Sequence, residues 1–282
     1  MTLQTMDSTY LQNEALKWIG NANRILISAG AGLSAAAGYD YDDEDRFADL
    51  FPGLHKQGFT SRKQFVSPEL SDEILWGYWA IHTADIRFGQ APSPIYRALR
   101  ALIGNRDYFV MTSNVDMLFA RNKFRSERIY APQGDYGTLQ CFSPCTNQVW
   151  NCEAILKRLR PNVDLNTGMI PTELVPKCPS CGGRTFLNIN MGKNFVPDYF
   201  MPAANRLGEW ISVFDEPLLV LEIGVGYSTP SVIRWPAENI TALHPDARLI
   251  RVNPIDTEVP AEIADISLSV PVTAARFLGG KS

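Results

Sequence analysis

RILISAGAGLSAAAGYDYDDEDRF, residues 24–47, is the stretch on which the fold turns. RILIS (24–28) is a short apolar run of the kind that forms a buried strand. Gly30-Ala31-Gly32-Leu33-Ser34-Ala35 follows and opens an alanine-rich helix. The pattern fits G-x-G-x-x-A, whose glycines permit a tight turn and close backbone approach. The helix N-terminus would then turn free N–H groups toward a diphosphate. A glycine turn between strand and helix is also a common packing device, so the turn alone leaves both readings open. The stretch ends in Asp40, Asp42, Asp43, Glu44 and Asp45, which would repel the same anion.

Further apolar runs repeat the first: DYFVMTS (107–113), RIYA (128–131), PLLVLEIG (217–224), RLIRVN (248–253) and DISLSV (265–270). Helical spacing separates most of them, as in Ser71–Phe88, Pro94–Ile103 and Thr229–Ala242. The expected fold is α/β: a Rossmann-like parallel sheet domain with a helical insertion and a small zinc-binding module. The sheet domain takes 1–38, 91–134 and 199–282, the helical insertion 39–90, and a loop-rich, zinc-ribbon-like module 135–198. Ligands of such sheets bind beyond the carboxyl ends of the strands, so the site is expected in the cleft between sheet and excursions.

Composition narrows the function. The 282 residues are 45% hydrophobic and 20% charged, with net charge −4 and no basic block, which disfavours nucleic acid as a partner. No apolar run is long enough to span a bilayer, and MTLQTMDSTY lacks the apolar core of a signal peptide; no membrane partner and a cytoplasmic location are expected. A dehydrogenase should next show a second strand ending in an acid that holds the ribose. That region instead reads FADLFPGLHKQGF, which is no strand. No lysine completes a P-loop either.

Two more strand ends carry polar groups into the same cleft: Thr112-Ser113-Asn114-Val115-Asp116, and Ala131-Pro132-Gln133-Gly134. With these the sequence resembles the sirtuins over nearly its whole length. The family's G-A-G-x-S-x-x-x-G is matched by Gly30, Ala31, Gly32, Ser34 and Gly38, and its T-Q-N-I-D by Thr112, Asn114, Val115 and Asp116. Where sirtuins have His-Gly, this chain has Gln133-Gly134, and an amide cannot take up a proton near neutral pH. At that departure, in Gln133 to Gly137 and in Glu222 to Gly226, it looks like the class M, macrodomain-linked sirtuins of microbes. That resemblance implies NAD-dependent mono-ADP-ribosylation of a protein, with little or no deacylase activity. It also implies a lipoylated carrier related to the glycine-cleavage H protein as target, and a macrodomain that removes ADP-ribose as partner.

The resemblance also distributes roles. Gly30, Ala31, Gly32 and Ser34 would hold the NAD diphosphate, and Tyr39, Arg46 and Phe47 would lie on a segment over the nicotinamide end. Asn114 would bind the ribose or an ordered water, Asp116 the carboxamide or the developing positive charge, and Gln133 the ribose hydroxyls or the acceptor. A turn-forming N-x-D that caps the next helix is the plain alternative for Asn114 and Asp116. Gly224 and Gly226 would admit the second phosphate or ribose, Ser228 or Thr229 would cap the next helix and could donate a bond, and Asn253 would hold the adenosine ribose or simply end its strand in an Asn-Pro turn. The acids at 42–45 are equally well read as a solvated loop. Two readings compete with transfer: an NAD glycohydrolase, and a catalytically silent NAD or ADP-ribose sensor.

Five cysteines complete the pattern. Cys141 and Cys145 form C-x3-C, and Cys178 and Cys181 form C-x2-C followed by two glycines. Two short knuckles suit tetrahedral zinc, and four thiolates leave no open position, so the ion would be structural. Cys152 reads as a bystander.

Overall fold

The computed structural model describes residues 7–65, 69–89 and 92–279. Residues 1–6, 66–68, 90, 91 and 280–282, which include one end each of the expected segments 1–38, 39–90, 91–134 and 199–282, lie outside the described residues.

Six strands form one parallel sheet: β1 (Arg24–Ala29), β2 (Asp107–Thr112), β3 (Ile129–Tyr130), β7 (Leu218–Ile223), β8 (Ala247–Val252) and β9 (Ser267–Val270). Their order is β3-β2-β1-β7-β8-β9. All six runs singled out in the sequence lie in it, in the doubly wound arrangement expected. The chain winds outward from β1 to β2 and β3, then returns to lay β7, β8 and β9 on the other side. The order therefore reverses between β1 and β7, and the crevice beyond such a reversal is where open α/β sheets bind ligands. β1 and β7 are buried along their whole length, as strands covered on both faces must be. Ile25, Ile27 and Ala29 enter one core, and Leu26 enters the other, following the two-residue alternation of a strand.

A second sheet, order β5-β4-β6, joins β4 (Gly134–Cys141), β5 (Trp150–Asn151) and β6 (Thr185–Ile189) in antiparallel pairing. A third core is built by the helices Glu44–Leu50, Pro52–Lys56 and Asp72–Ile86 against β4 and β6. Ser71 caps the last of these by accepting from the Ile74 N–H, and Trp76 and Trp79 are fully buried on it. Among the described residues of 39–89 there is no strand.

The helix expected over Thr229–Ala242 begins later, at Arg234, and runs to Leu243. Pro236 accounts for the difference. A start at Arg234 puts it in the first turn, where its missing N–H costs nothing, whereas a start at Thr229 would put it in the interior. Among the described residues no helix is long and apolar enough to cross a membrane.

Candidate NAD-type site and cysteine centre

The switch point is closed by two interlocked turns. Gly30 donates to Ile223 O (3.1 Å), Gly32 to Gly224 O (3.0 Å), and Gly224 to Val252 O (3.0 Å). A Cβ on Gly30 would stand 2.6 Å from Gly224 O, and one on Gly32 2.8 Å from Gly224 Cα. Gly224 itself has φ +63°. The glycines therefore let the turn after β1 and the turn after β7 touch, which is the packing use that the sequence left open beside the ligand one. The N–H groups of Gly32 and Leu33 are already taken, by Gly224 O and Gly30 O, so the helix Ala31–Ala36 has fewer free donors for an anion than the motif promised.

Two cavities flank these turns and share Ala31, Gly32, Ala35, Ser113 and Thr229 on their walls. The first, about 430 Å³, is lined by Ser34, Tyr39, Asn114, Asp116 and Gln133 of the expected site residues. The second, about 700 Å³, is lined by Gly30, Gly224, Gly226, Ser228 and Asn253. Ser34 and Asn114 are 80 positions apart and Gly30 and Gly224 are 194 apart; the parallel strands bring them to one edge.

Within the first cavity the polar groups form a bonded floor. Ser34 Oγ donates to Asp116 Oδ2 (2.5 Å), and the Leu118 N–H donates to Asp116 Oδ1 (2.9 Å). The second bond is an i,i+2 side-chain turn leading into the helix Leu118–Arg121, whose N-cap is Met117. Burial pushes the Asp116 carboxyl above its ordinary range, and these two bonds pull it partly back. Asn114 Nδ2 donates to Gly30 O (3.0 Å), which fastens the end of β2 to the glycine turn. Gln133 is half-buried on the wall of the same cavity, and its backbone carbonyl accepts from the Asn190 N–H (2.8 Å).

Arg46 and Phe47 do not line either cavity. Asp43 caps the helix Glu44–Leu50 through the Arg46 N–H, and that register turns Phe47 inward, fully buried beside Phe51 and Phe65. Arg46 points outward and pairs with Asp85 at 2.6 Å. The acids around them are locally employed: Asp42 pairs with Lys63, and Glu44 lies 3.1 Å from His55 Nε2. Asp40 alone of the acidic run reaches the cavity wall. In place of Arg46 and Phe47 stand Tyr41, Lys63 and Tyr136. Tyr136 lies in the QGDYG segment already noted; Lys63 has no local signal, because only the packing of the helical insertion brings it there.

None of the three histidines is placed as a base. His55 faces Glu44, and His244 is buried near Val213 O (3.2 Å). His82 lies behind the cavity, buried, and burial together with Arg62 drives its pKa well below the ordinary range. It stays neutral near pH 7.

Behind the second cavity Glu222 is buried with Arg251, whose Nε and Nη2 reach its two oxygens at 2.5 and 3.1 Å. Arg251 also pairs with Glu238, and Arg234 donates to the carbonyls of Val225, Asp256 and Glu258. The two acids balance the two guanidinium groups, as buried charges require. Asn253 donates to Val225 O (2.8 Å) and accepts from the N–H groups of Ile255 and Asp256 (both 3.0 Å), so it is a strand-ending turn that also staples the wall.

The cysteine centre sits at the far end of the small sheet. Cys141 Sγ and Cys181 Sγ are 3.7 Å apart, as are Cys145 Sγ and Cys178 Sγ, and all four sulfurs lie within 4.8 Å of one another. Tetrahedral zinc with Zn–S near 2.3 Å needs sulfurs about 3.8 Å apart, so the four residues fit that ion. The Gly182 N–H donates to Cys178 O and the Cys178 N–H to Gly183 O, both at 2.8 Å, which shapes the tight knuckle. Cys152 is remote from them, buried in the third core.

No family model matches the chain. It is 35% identical over 270 residues to a "Probable bifunctional ADP-ribose hydrolase/ADP-ribosyltransferase" of Fusarium oxysporum f. sp. cubense, covering 92% of this chain and 45% of that protein. It is 29% identical over 270 residues to a "Protein ADP-ribosyltransferase" of Staphylococcus aureus, covering 92% and 84%. The chain thus spans less than half the length of the fungal relative. Among solved structures, a Sir2 homologue in complex with NAD superposes with TM-score 0.61 at 18% identity, covering 94% of this chain and 90% of that one. A Sir2 mutant with 2'-O-acetyl ADP ribose gives 0.57 at 19%, covering 94% and 92%. The fold is that of the Sir2 proteins.

Proposed function

We propose that this chain, sirtuin-like in fold, is an NAD-dependent protein mono-ADP-ribosyltransferase. The observation that carries the reading is the pair of cavities joined across the Gly30–Gly32 turn. One is lined by Asn114, Asp116 and Gln133, the other by the loops after β7 and β8. A dinucleotide laid across them puts its diphosphate at the shared wall, adenosine on the Asn253 side, and the nicotinamide riboside on the Asn114 side. The names of the two curated relatives support the same reaction.

Cleavage of the nicotinamide–ribose bond leaves the electron pair on the departing base and a cation-like ribose. Asp116 faces that charge, Asn114 holds the ribose or a water, and Gln133 orients the ribose hydroxyls or the acceptor. The acceptor's nucleophilic atom then bonds to the anomeric carbon and sheds its proton to water. Gln133 cannot serve as a proton acceptor, and His82, buried and made a weaker base by its burial and by Arg62, does not replace it, which supports transfer over deacylation. The four cysteines would hold zinc and keep the small sheet in place, without a part in the chemistry.

By family resemblance the target is a lipoylated carrier of the glycine-cleavage H type, with a macrodomain that removes the modification. The fungal relative, whose name joins hydrolase to transferase, supports such a pairing. Incubation with labelled NAD and a lipoylated carrier tests the reading: label on the carrier is expected. Free ADP-ribose alone means glycohydrolysis, unchanged NAD means binding only, and efficient removal of acyl groups from lysine overturns it.

A further inference from the structure

Tyr41 and Tyr136 stand together at the end of the first cavity, their hydroxyls 2.9 Å apart. They come from different parts of the fold, Tyr41 from the helical insertion and Tyr136 from β4. Both are held firmly. The Tyr41 carbonyl accepts from the Arg62 N–H (3.0 Å) and from Ser61 Oγ (2.9 Å), and the Tyr136 N–H donates to Val115 O (3.0 Å). Their rings meet His82 edge-on, at 5.6 and 4.8 Å between centroids.

In a bonded pair of hydroxyls one proton is used between the two oxygens, and one remains. Among the described residues no acceptor takes the remaining proton. Asp116 lies in the same cavity and is bonded to neither phenol: its oxygens accept from Ser34 and Leu118. The cavity end therefore offers a phenol O–H as donor and a carboxylate as acceptor, with the apolar side chains of Val115 and Ile189 on its walls. A flat ring bearing a primary carboxamide is the complement, its C=O accepting from a phenol and its N–H donating to the carboxylate.

We infer that the Tyr41–Tyr136 pair is a recognition element for the carboxamide of the departing base, working opposite Asp116 and so governing how firmly nicotinamide is held after the bond breaks. The inference rests on the NAD reading above. Burial raises both phenols, Tyr136 to about 12, so they stay protonated and able to donate throughout the neutral range.

The test is calorimetric titration of the intact protein with nicotinamide in saturating ADP-ribose, and separately with ADP-ribose alone, for wild type, Tyr136→Phe and Tyr41→Phe. Each variant should bind nicotinamide roughly three- to tenfold more weakly, the loss of about one hydrogen bond, with ADP-ribose affinity within about twofold. An unchanged ratio of the two affinities, or loss of both ligands together in both variants, overturns the inference. Wild-type protein that binds ADP-ribose but not nicotinamide also overturns it and leaves the dinucleotide reading standing. Wild-type protein that binds neither removes both.

Discussion

Ser34 and Asp116, 82 residues apart in the chain, meet in a 2.5 Å hydrogen bond on the wall of the first cavity. The bond joins the helix after the glycine turn to the end of β2, and it is one of two that keep a buried carboxylate from being stranded. Burial still raises the Asp116 pKa above its usual value. The folded state then binds the proton more tightly than the unfolded chain. Its contribution to stability is fully present below the unfolded pKa of about 3.9 and is lost as pH rises through the folded value. Asp116→Asn, which has no proton to lose, should therefore flatten the fall in stability across that window. Urea unfolding at a series of pH values measures it, and an unchanged slope argues that the group is not the one titrating.

Asn114→Ala removes the bond to Gly30 O. We expect NAD turnover to drop at least about a hundredfold, because the proposed reaction needs Asn114 to hold the ribose or its water in place. The stability cost should be only about 1 kcal/mol. Single-turnover kinetics beside a thermal melt separates the two effects; retained turnover would remove Asn114 from the mechanism.

Gly224→Ala tests the interlocked turns. Its Cβ would fall 2.6 Å from Leu33 N, at a φ of +63°. Clash and backbone strain together should cost about 2–4 kcal/mol. Because the neighbouring turn must shift, NAD affinity should fall as well. A variant as stable as wild type in chemical denaturation would contradict the packing described.

The cysteine centre predicts one zinc ion per chain by elemental analysis. Cys178→Ser should lose the metal and lower stability by on the order of 3 kcal/mol, about 6–12 °C in melting temperature. Metal content unaffected by this substitution would show that the four thiolates are not its ligands.

Glu222→Gln leaves Arg251 and Arg234 sharing Glu238 alone in a buried place. Removing one partner of such a network should cost about 3–5 kcal/mol. The loops at 225–227 and 256–258, which Arg234 holds, should exchange their amide hydrogens faster; unchanged exchange there would mean that the network does not support the second cavity.

What the sequence by itself determined is local. RILIS, PLLVLEIG and their companions are strands because short apolar runs between turn signals have few other ways to be buried. The cysteine knuckles and the Asn114-Val115-Asp116 turn declare themselves within a few residues. What only the tertiary structure decided is which side chains meet. Nothing near Gly30 says that its lost Cβ makes room for Gly224, and nothing near Phe47 says that the Asp43 cap rotates it into an aromatic core, leaving the wall to Tyr41 and Tyr136. Hydrophobic period and turn chemistry act over one or two turns of chain. Contacts between residues 82 or more positions apart are set by sheet order and by the packing of an insertion, and these emerge only when the whole core closes.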